Sequence, residues 1–241
     1  MHIIMITPAQ RGSRAGNRAT AERWQRLLNR AGHRVSLVTE YVGEPCDVFI
    51  ALHAWRSVSA VRRFRACWPE RPLVVALTGT DVYRHQRESP KDTRYSMAEA
   101  DVLIGLHDRL AADIPSEFAG KLLTLYQSAE GRERFPSAQP EVASAGFNVC
   151  VIGHLREEKD SLRAAQASRL LPVQSRIRVL CAGKPHNDDW QSMAEREMAE
   201  NPRFRWLGEL DQAQTRQLMA NCQLMVISSV MEGGANVVSE A

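Results

Sequence analysis

Short apolar runs recur along the chain, each closed by small or polar residues. His2 to Thr7, Arg34 to Thr39, Asp47 to Leu52, Leu73 to Leu77, Val102 to Gly105 and Leu122 to Leu125 read as strands, apolar enough to be covered on both faces. Between them the spacing turns helical. Thr20, Trp24, Leu27, Leu28 and Ala31 share one face of a helix that Gly32 is placed to end. Ser57 to Ala66 reads as a second helix, and His107-Asp108 opens a short one. Strand and helix in alternation predict a doubly wound parallel sheet. From Gln127 to Gly146 the periodicity lapses, and Ser137-Ala138-Gln139-Pro140 with Ser144-Ala145-Gly146 reads as a linker. The pattern restarts with a strand over Phe147 to Ile152, a helix over Ser161 to Leu171 and a strand over Ile177 to Cys181. An exposed helix over Asn187 to Glu200, a short strand from Phe204 and a helix over Asp211 to Ala220, capped by Asp211, follow. Leu224-Met225-Val226-Ile227, ending in Ser228-Ser229, is expected to be a buried, central parallel strand. The expected organisation is α/β, with a first domain over 1–126, a linker over 127–146 and a second domain over 147–241.

Composition narrows the function classes. With 44% hydrophobic residues, the 241-residue chain can bury a substantial core. A formal charge of +3, from 31 basic and 28 acidic residues, is too balanced for a dedicated nucleic-acid binder. No apolar run approaches the roughly 20 residues that span a bilayer, so no membrane partner is expected. Met1 to Ile6 is too short and too early for a signal peptide. Cys46, Cys67, Cys150, Cys181 and Cys222 are odd in number, widely spaced and without zinc-like pairs, which points to a reduced, cytoplasmic protein.

The candidate chemistry sits where strands end. The loop after the first strand carries Arg11, Gly12, Ser13, Arg14, Gly16, Asn17 and Arg18. Arginines grip oxyanions bidentately, and glycines let a ligand come close to the backbone. The spacing does not meet Gly-x-Gly-x-x-Gly, and the same loop can be solvated with three surface arginines. His53, at the exit of the third strand, is placed either to meet a ligand or to pack on Trp55. Thr78-Gly79-Thr80-Asp81 offers two hydroxyls and a carboxylate. Asp81 can act as base or position an acceptor, and it can equally cap the next helix. At the other end, Glu232-Gly233-Gly234-Ala235-Asn236 follows an apolar strand and runs on to Glu240. A glycine pair at a helix start favours an anion, and it can also be a loop with two solvated glutamates.

That last stretch resembles the Glu-x7-Glu motif of GT-B nucleotide-sugar glycosyltransferases, with Glu232 and Glu240 at both motif positions. Gly153-His154-Leu155-Arg156-Glu157-Glu158-Lys159 resembles the family's Gly-Arg-Leu-x-x-x-Lys, in which two basic residues hold the donor diphosphate. Lys159 matches. His154 stands where arginine is usual, and Arg156 lies nearby to compensate. Ala182-Gly183-Lys184-Pro185 resembles the strand–glycine turn near the nucleotide base. The resemblance implies two Rossmann-like domains facing across a cleft. It places the nucleotide sugar against Gly16, His154, Arg156, Lys159, Gly183, Glu232, Gly233, Gly234, Ala235, Asn236 and Glu240. Glu232 is expected on a sugar hydroxyl and Glu240 on the ribose diol. It also implies further helices after Ala241, so the second domain is expected to be incomplete.

Phrases in the first domain are narrower. Thr7-Pro8-Ala9, the run from Gly12 to Ala21, Ala51-Leu52-His53-Ala54-Trp55-Arg56-Ser57 and Leu77-Thr78-Gly79-Thr80-Asp81 resemble the SenB family, the selenosugar synthases of selenoneine biosynthesis. This implies transfer of a sugar, typically N-acetylglucosamine, from a UDP-sugar to selenophosphate, with formation of a carbon–selenium bond. Selenophosphate is already an anionic nucleophile and needs capture more than a base. Arg11, Gly12, Ser13, Arg14, Asn17, Arg18, Thr78 and Thr80 would hold it, and Lys159, Glu232, Asp81 and His53 would serve catalysis. No Asp-x-Asp metal signature is present, so metal-independent transfer without a cofactor is expected. The implied partners are small-molecule substrates, with functional links to selenophosphate synthetase and the next selenoneine-pathway enzyme. Two other activities fit the same residues: an ordinary GT-B O-glycosyltransferase, and a nucleotide-sugar-binding module without turnover.

Overall fold

The computed structural model describes residues 1–13, 15–129 and 146–241. Arg14, the expected linker residues Ser137, Gln139, Pro140 and Ser144, and their neighbours from 130 to 145 lie outside the described residues. The chain forms two compact units. The first comprises Met1–Ser128 together with Glu232–Asn236, and the second comprises Ala129–Met231 with Val237–Ala241.

In the first unit, strands β1 (His2–Ile6), β2 (Arg34–Val38), β3 (Val48–Leu52), β4 (Leu73–Leu77), β5 (Val102–Gly105) and β6 (Leu122–Thr124) form one sheet. Their order is β2-β1-β3-β4-β5-β6, with every pairing parallel. Alternation along each strand sends neighbours to opposite faces. Ile4, Ile6, Phe49, Ala51, Leu73 and Val75 join one core, while Ile3, Met5, Ile50, Leu52 and Ala76 join the other. Helix α1 (Gly16–Arg30) covers the second core with Ala21, Trp24 and Leu28. Helix α2 (Val58–Cys67) covers the first with Ala60, Val61 and Phe64. Phe64 stacks on Phe49 with ring centroids 4.7 Å apart, a contact whose truncation to alanine costs about 3–5 kcal/mol. A π-turn over Asp81–His85 leads into α3 (Gln86–Glu88) and α4 (Pro90–Glu99). The helix expected at His107-Asp108 is instead two 3-10 segments, Leu110–Ala112 and Ser116–Lys121. Gln127, placed by its sequence in the linker, is buried in this unit and donates to the Thr20 hydroxyl at 2.9 Å.

In the second unit, β7 (Phe147–Ile152), β8 (Ile177–Ala182), β9 (Phe204–Trp206) and β10 (Leu224–Met225) form a parallel sheet of order β10-β7-β8-β9. Helices α5 (Arg163–Ser168), α6 (Asp188–Glu200) and α7 (Gln212–Ala220) complete it. Helix α5 is shorter than the sequence predicts. Asp211 caps α7 in a capping box with Gln214, and Asn187 caps α6. β10 departs from expectation. It is a two-residue strand at the sheet edge, not a buried central one, and Leu224 is 50% exposed. The apolar run is used differently: Val226 N–H still bonds Cys150 O, after which the chain leaves the ladder.

Candidate functional site

Doubly wound sheets bind ligands beyond their strand carboxyl ends, where the strand order reverses. In the first sheet that point lies between β1 and β3, because β2 falls on the far side of β1. The arginine loop follows β1, and His53 follows β3.

His53 holds φ +75°, in the left-handed region that non-glycine residues rarely occupy. Its Nδ1 accepts the Arg56 N–H at 3.2 Å, so in the neutral ring Nε2 carries the proton and donates it to Thr80 Oγ1 at 2.9 Å. Burial is the main force pushing this imidazole below its ordinary pKa, and Asp81, 4.0 Å away, only partly opposes it. His53 is therefore a neutral, buried connector that fixes Thr80. Trp55 stacks on His85 with centroids 3.9 Å apart rather than on His53.

Asp81 is not open to an acceptor. It is fully buried. Oδ1 accepts the N–H groups of Thr78 at 3.0 Å, Gly79 at 2.8 Å and Val82 at 3.2 Å, and Oδ2 accepts that of Ala54 at 2.9 Å. The carboxylate organises two strand exits at once, in keeping with the structural alternative the sequence left open for it. Of the expected anion ligands nearby, Thr80 is engaged by His53, and the buried Thr78 hydroxyl oxygen meets no hydrogen-bond partner among the described residues.

The arginine loop is divided. Gly12 adopts φ +81°, and Ser13 Oγ accepts the Ala15 N–H. Gly16 is the exposed first residue of α1, and a Cβ added to it would meet nothing within 4 Å, so no close approach demands glycine there. Asn17 and Arg18 lie in the first turn of α1. Arg18 is 8% exposed and held by Glu22 at 2.6 Å. Arg11 and Arg18 nevertheless line one cavity of about 340 Å³, with Gln10, Leu37, Val38, Thr39 and Glu40.

The glycine pair is required by close packing within the first unit. A Cβ on Gly233 would fall 2.3 Å from the carbonyl carbon of Thr78, and one on Gly234 would fall 2.4 Å from Leu106 Cβ. Gly79, at φ +117°, faces Gly233 in return. Within the first unit Gly233 packs on the Thr78-Gly79 backbone and Gly234 against the Leu106 side chain. Asn236 likewise accepts from Arg23 at 3.1 Å and donates to Thr20 Oγ1 at 3.3 Å. Arg23, only 8% exposed, also donates to the Ser128 carbonyl. The sequence places Thr20 on the buried face of α1 but does not mark Arg23, which lies three residues on. Glu232 and Ala235 belong to the first unit, and Glu240 belongs to the second.

In the second sheet the order reverses between β7 and β10. The loop after β7 carries Gly153, His154, Arg156 and Lys159, with Lys159 ending a 3-10 turn and Asp160 at φ +45°. The segment after β10 ties itself to that loop. Ser228 Oγ donates to Asp160 O at 2.8 Å, and Val230 N–H bonds Glu158 O at 2.9 Å. Gly183 is required beside them, because a Cβ there would fall 1.9 Å from Gly153 O and 2.9 Å from His154 N. The structure thus brings Gly183, after β8, against the loop after β7 that carries His154, Arg156 and Lys159. Burial first, then Arg156, pushes the His154 imidazole below its ordinary value. His154 is neutral near pH 7, and the positive charge rests on Arg156, Lys159 and Lys184, the last of which lies in the turn after β8. Among the described residues no three His, Cys, Asp or Glu side chains cluster as metal ligands, and no helix is long and apolar enough to cross a membrane.

No family model matches the chain. Solved structures do. Sucrose-phosphate synthase from Thermosynechococcus elongatus aligns with 99% of this chain and 78% of its own, at TM-score 0.73 and 14% identity. HepE from Anabaena, solved in complex with UDP and glucose, aligns with 100% and 78%, at TM-score 0.66 and 16% identity. The lipopolysaccharide outer core galactosyltransferase WaaB aligns with 100% and 78%, at TM-score 0.65 and 12% identity. Two α/β units with parallel sheets, matched over the whole chain by such structures, give this protein the GT-B glycosyltransferase fold.

Proposed function

We propose that this chain is a nucleotide-sugar-dependent glycosyltransferase whose acceptor is selenophosphate. Support for the coarser part comes from the fold together with the loop after β7. HepE was solved with UDP-glucose, and Arg156 and Lys159 collect at a strand exit where a diphosphate would find two permanent cations. Neutral His154 can donate a hydrogen bond there but adds no charge. The observation that carries the acceptor reading is the pairing of Arg11 and Arg18 in one cavity at the exits of β1 and β2. Two guanidinium groups suit a multiply charged oxyanion better than a sugar hydroxyl.

In this reaction the selenium of selenophosphate attacks the anomeric carbon of a UDP-sugar, such as UDP-N-acetylglucosamine. The carbon–selenium bond forms as the carbon–oxygen bond to the diphosphate breaks, and UDP leaves with the electron pair. Water then cleaves the selenium–phosphorus bond, giving inorganic phosphate and the selenosugar. Arg156 and Lys159 stabilise the leaving diphosphate electrostatically, so transfer proceeds without a metal or cofactor.

The test is mass spectrometry of a reaction containing UDP-N-acetylglucosamine and selenophosphate, with wild type and Arg11→Ala/Arg18→Ala, each with and without EDTA. A product bearing selenium's isotope pattern, lost in the variant and retained with EDTA, is expected. UDP release without a selenium product would replace selenophosphate with an oxygen acceptor. Absence of UDP release under all conditions would refute the transferase reading.

A further inference from the structure

A second cavity, of about 240 Å³, lies next to the first in the same unit and shares Thr39 and Glu40 with it. Ile6, Pro8 and Tyr41 form its apolar side, and Arg56, Ser59 and Arg63 bring its polar groups. The arginines of α2 and of the turn before it fall into two sets. Arg62 pairs with Asp92 at 2.9 Å, and Arg65 pairs with Asp101 at 2.9 Å while donating to the carbonyls of Glu99, Pro69 and Arg71. Arg56 and Arg63 form no ion pair among the described residues and face the cavity instead. Ser59 and Arg63 are one helical turn apart, so both project from the same side of α2. Two other polar groups of the wall are already engaged: Ser57 Oγ donates to Leu52 O at 2.7 Å, and the Tyr41 hydroxyl donates to Glu44 O at 2.7 Å. What remains for a ligand is two guanidinium forks and the hydroxyls of Thr39 and Ser59, set against a single carboxylate, Glu40, at the rim shared with the first cavity.

We propose that this cavity is a second oxyanion site, which takes a dianionic phosphoryl group beside the one assigned to Arg11 and Arg18. Forked donors match phosphate oxygens bidentately, and the volume suits one phosphoryl group rather than a whole nucleotide. Its position at the exits of β1 and β3 is the ligand-binding side of the sheet. The binding itself does not rest on the selenium chemistry. If that chemistry holds, the site lies ready to receive the inorganic phosphate released after transfer.

The probe is inorganic phosphate, titrated calorimetrically into the 241-residue chain with no sugar nucleotide present. Glycerol 3-phosphate serves as a parallel probe, to separate a free phosphate from a phosphate monoester. Arg56→Ala/Arg63→Ala is expected to weaken phosphate binding by about tenfold or more. Arg11→Ala/Arg18→Ala should leave one of the two binding events intact. Glu40→Gln, which removes the opposing charge, should tighten binding by about threefold or more. Both arginines are exposed, so circular dichroism of the double variant should match wild type. Unchanged phosphate affinity in Arg56→Ala/Arg63→Ala, or no phosphate binding by wild type, would overturn the proposal. So would complete loss of binding in Arg11→Ala/Arg18→Ala alone. No turnover is measured, so this outcome is separable from failure of the transferase reading.

Discussion

Replacing Asp81 with asparagine separates a structural carboxylate from a catalytic one. The side chain is fully buried, and its two oxygens accept from the backbone of two different strand exits. An asparagine keeps one acceptor oxygen. If that oxygen serves Thr78 and Gly79, the amide nitrogen faces the Ala54 N–H, and two donors oppose each other. One charge-assisted hydrogen bond is lost, worth about 1.5–3 kcal/mol, and a buried N–H is orphaned at about 1–3 kcal/mol. The sum is about 2.5–6 kcal/mol, a large share of the roughly 5–15 kcal/mol that holds a domain folded. Urea unfolding of the variant should show a lower midpoint with an unchanged slope, and thermal melting should fall by on the order of 10 °C. At temperatures where the variant remains folded, turnover per folded molecule should stay within severalfold of wild type. Wild-type stability combined with a loss of about 100-fold in kcat would refute this reasoning and return Asp81 to the reaction centre.

Gly183→Ala should destabilise the second unit by about 1–3 kcal/mol, toward the upper end because the clash is with backbone, and should weaken UDP binding through the displaced His154 loop. Gly16→Ala, at an exposed helix start with open space around it, should instead stabilise by about 0.5 kcal/mol; paired thermal melts check both. Acid should destabilise the fold. Burial holds His53, His85 and His154 below their ordinary values, so below about pH 6.5 the unfolded chain binds more protons than the folded one. Stability is then present above that pH and lost as pH falls through the window down to the folded values. Denaturant midpoints from pH 7.5 to 5 should show this decline, and His53→Asn, which tolerates the left-handed backbone, should flatten it. A thiol reagent at neutral pH should modify exposed Cys67 first. Cys181, whose thiol burial pushes up to about 12, should react only after unfolding, as peptide mapping of the labelled sites would report.

The sheet cores were legible because their signal is local. Leu73–Leu77 and Phe147–Ile152 are strands over the predicted residues, since a continuous apolar run fits a strand covered on both faces. Gly32 ends α1 with φ +86°, and Asp211 caps α7, for reasons contained within a few residues. Long-range placement was less legible. Leu224–Met225 carries the apolar content of a central strand, yet its position in the sheet depends on which neighbours β7 finds, and it lies at the edge. Asp81 and Gly233 show the same limit within the site. A carboxylate beside a glycine turn has the same local spelling whether it faces an acceptor or backbone amides brought in from the β3 exit 27 residues away. A glycine pair likewise has one spelling whether a ligand or another stretch of backbone lies against it. What separates the alternatives is the partner, and for Gly233 the partner is Thr78-Gly79, far away in sequence. The arginines are a different case. Their type already implies an anion, and the fold adds only which of them share a cavity: Arg11 with Arg18, and Arg56 with Arg63. Charge type is thus the part of a site that sequence carries furthest, whereas the roles of glycines and buried carboxylates emerge only once the chain has chosen its neighbours.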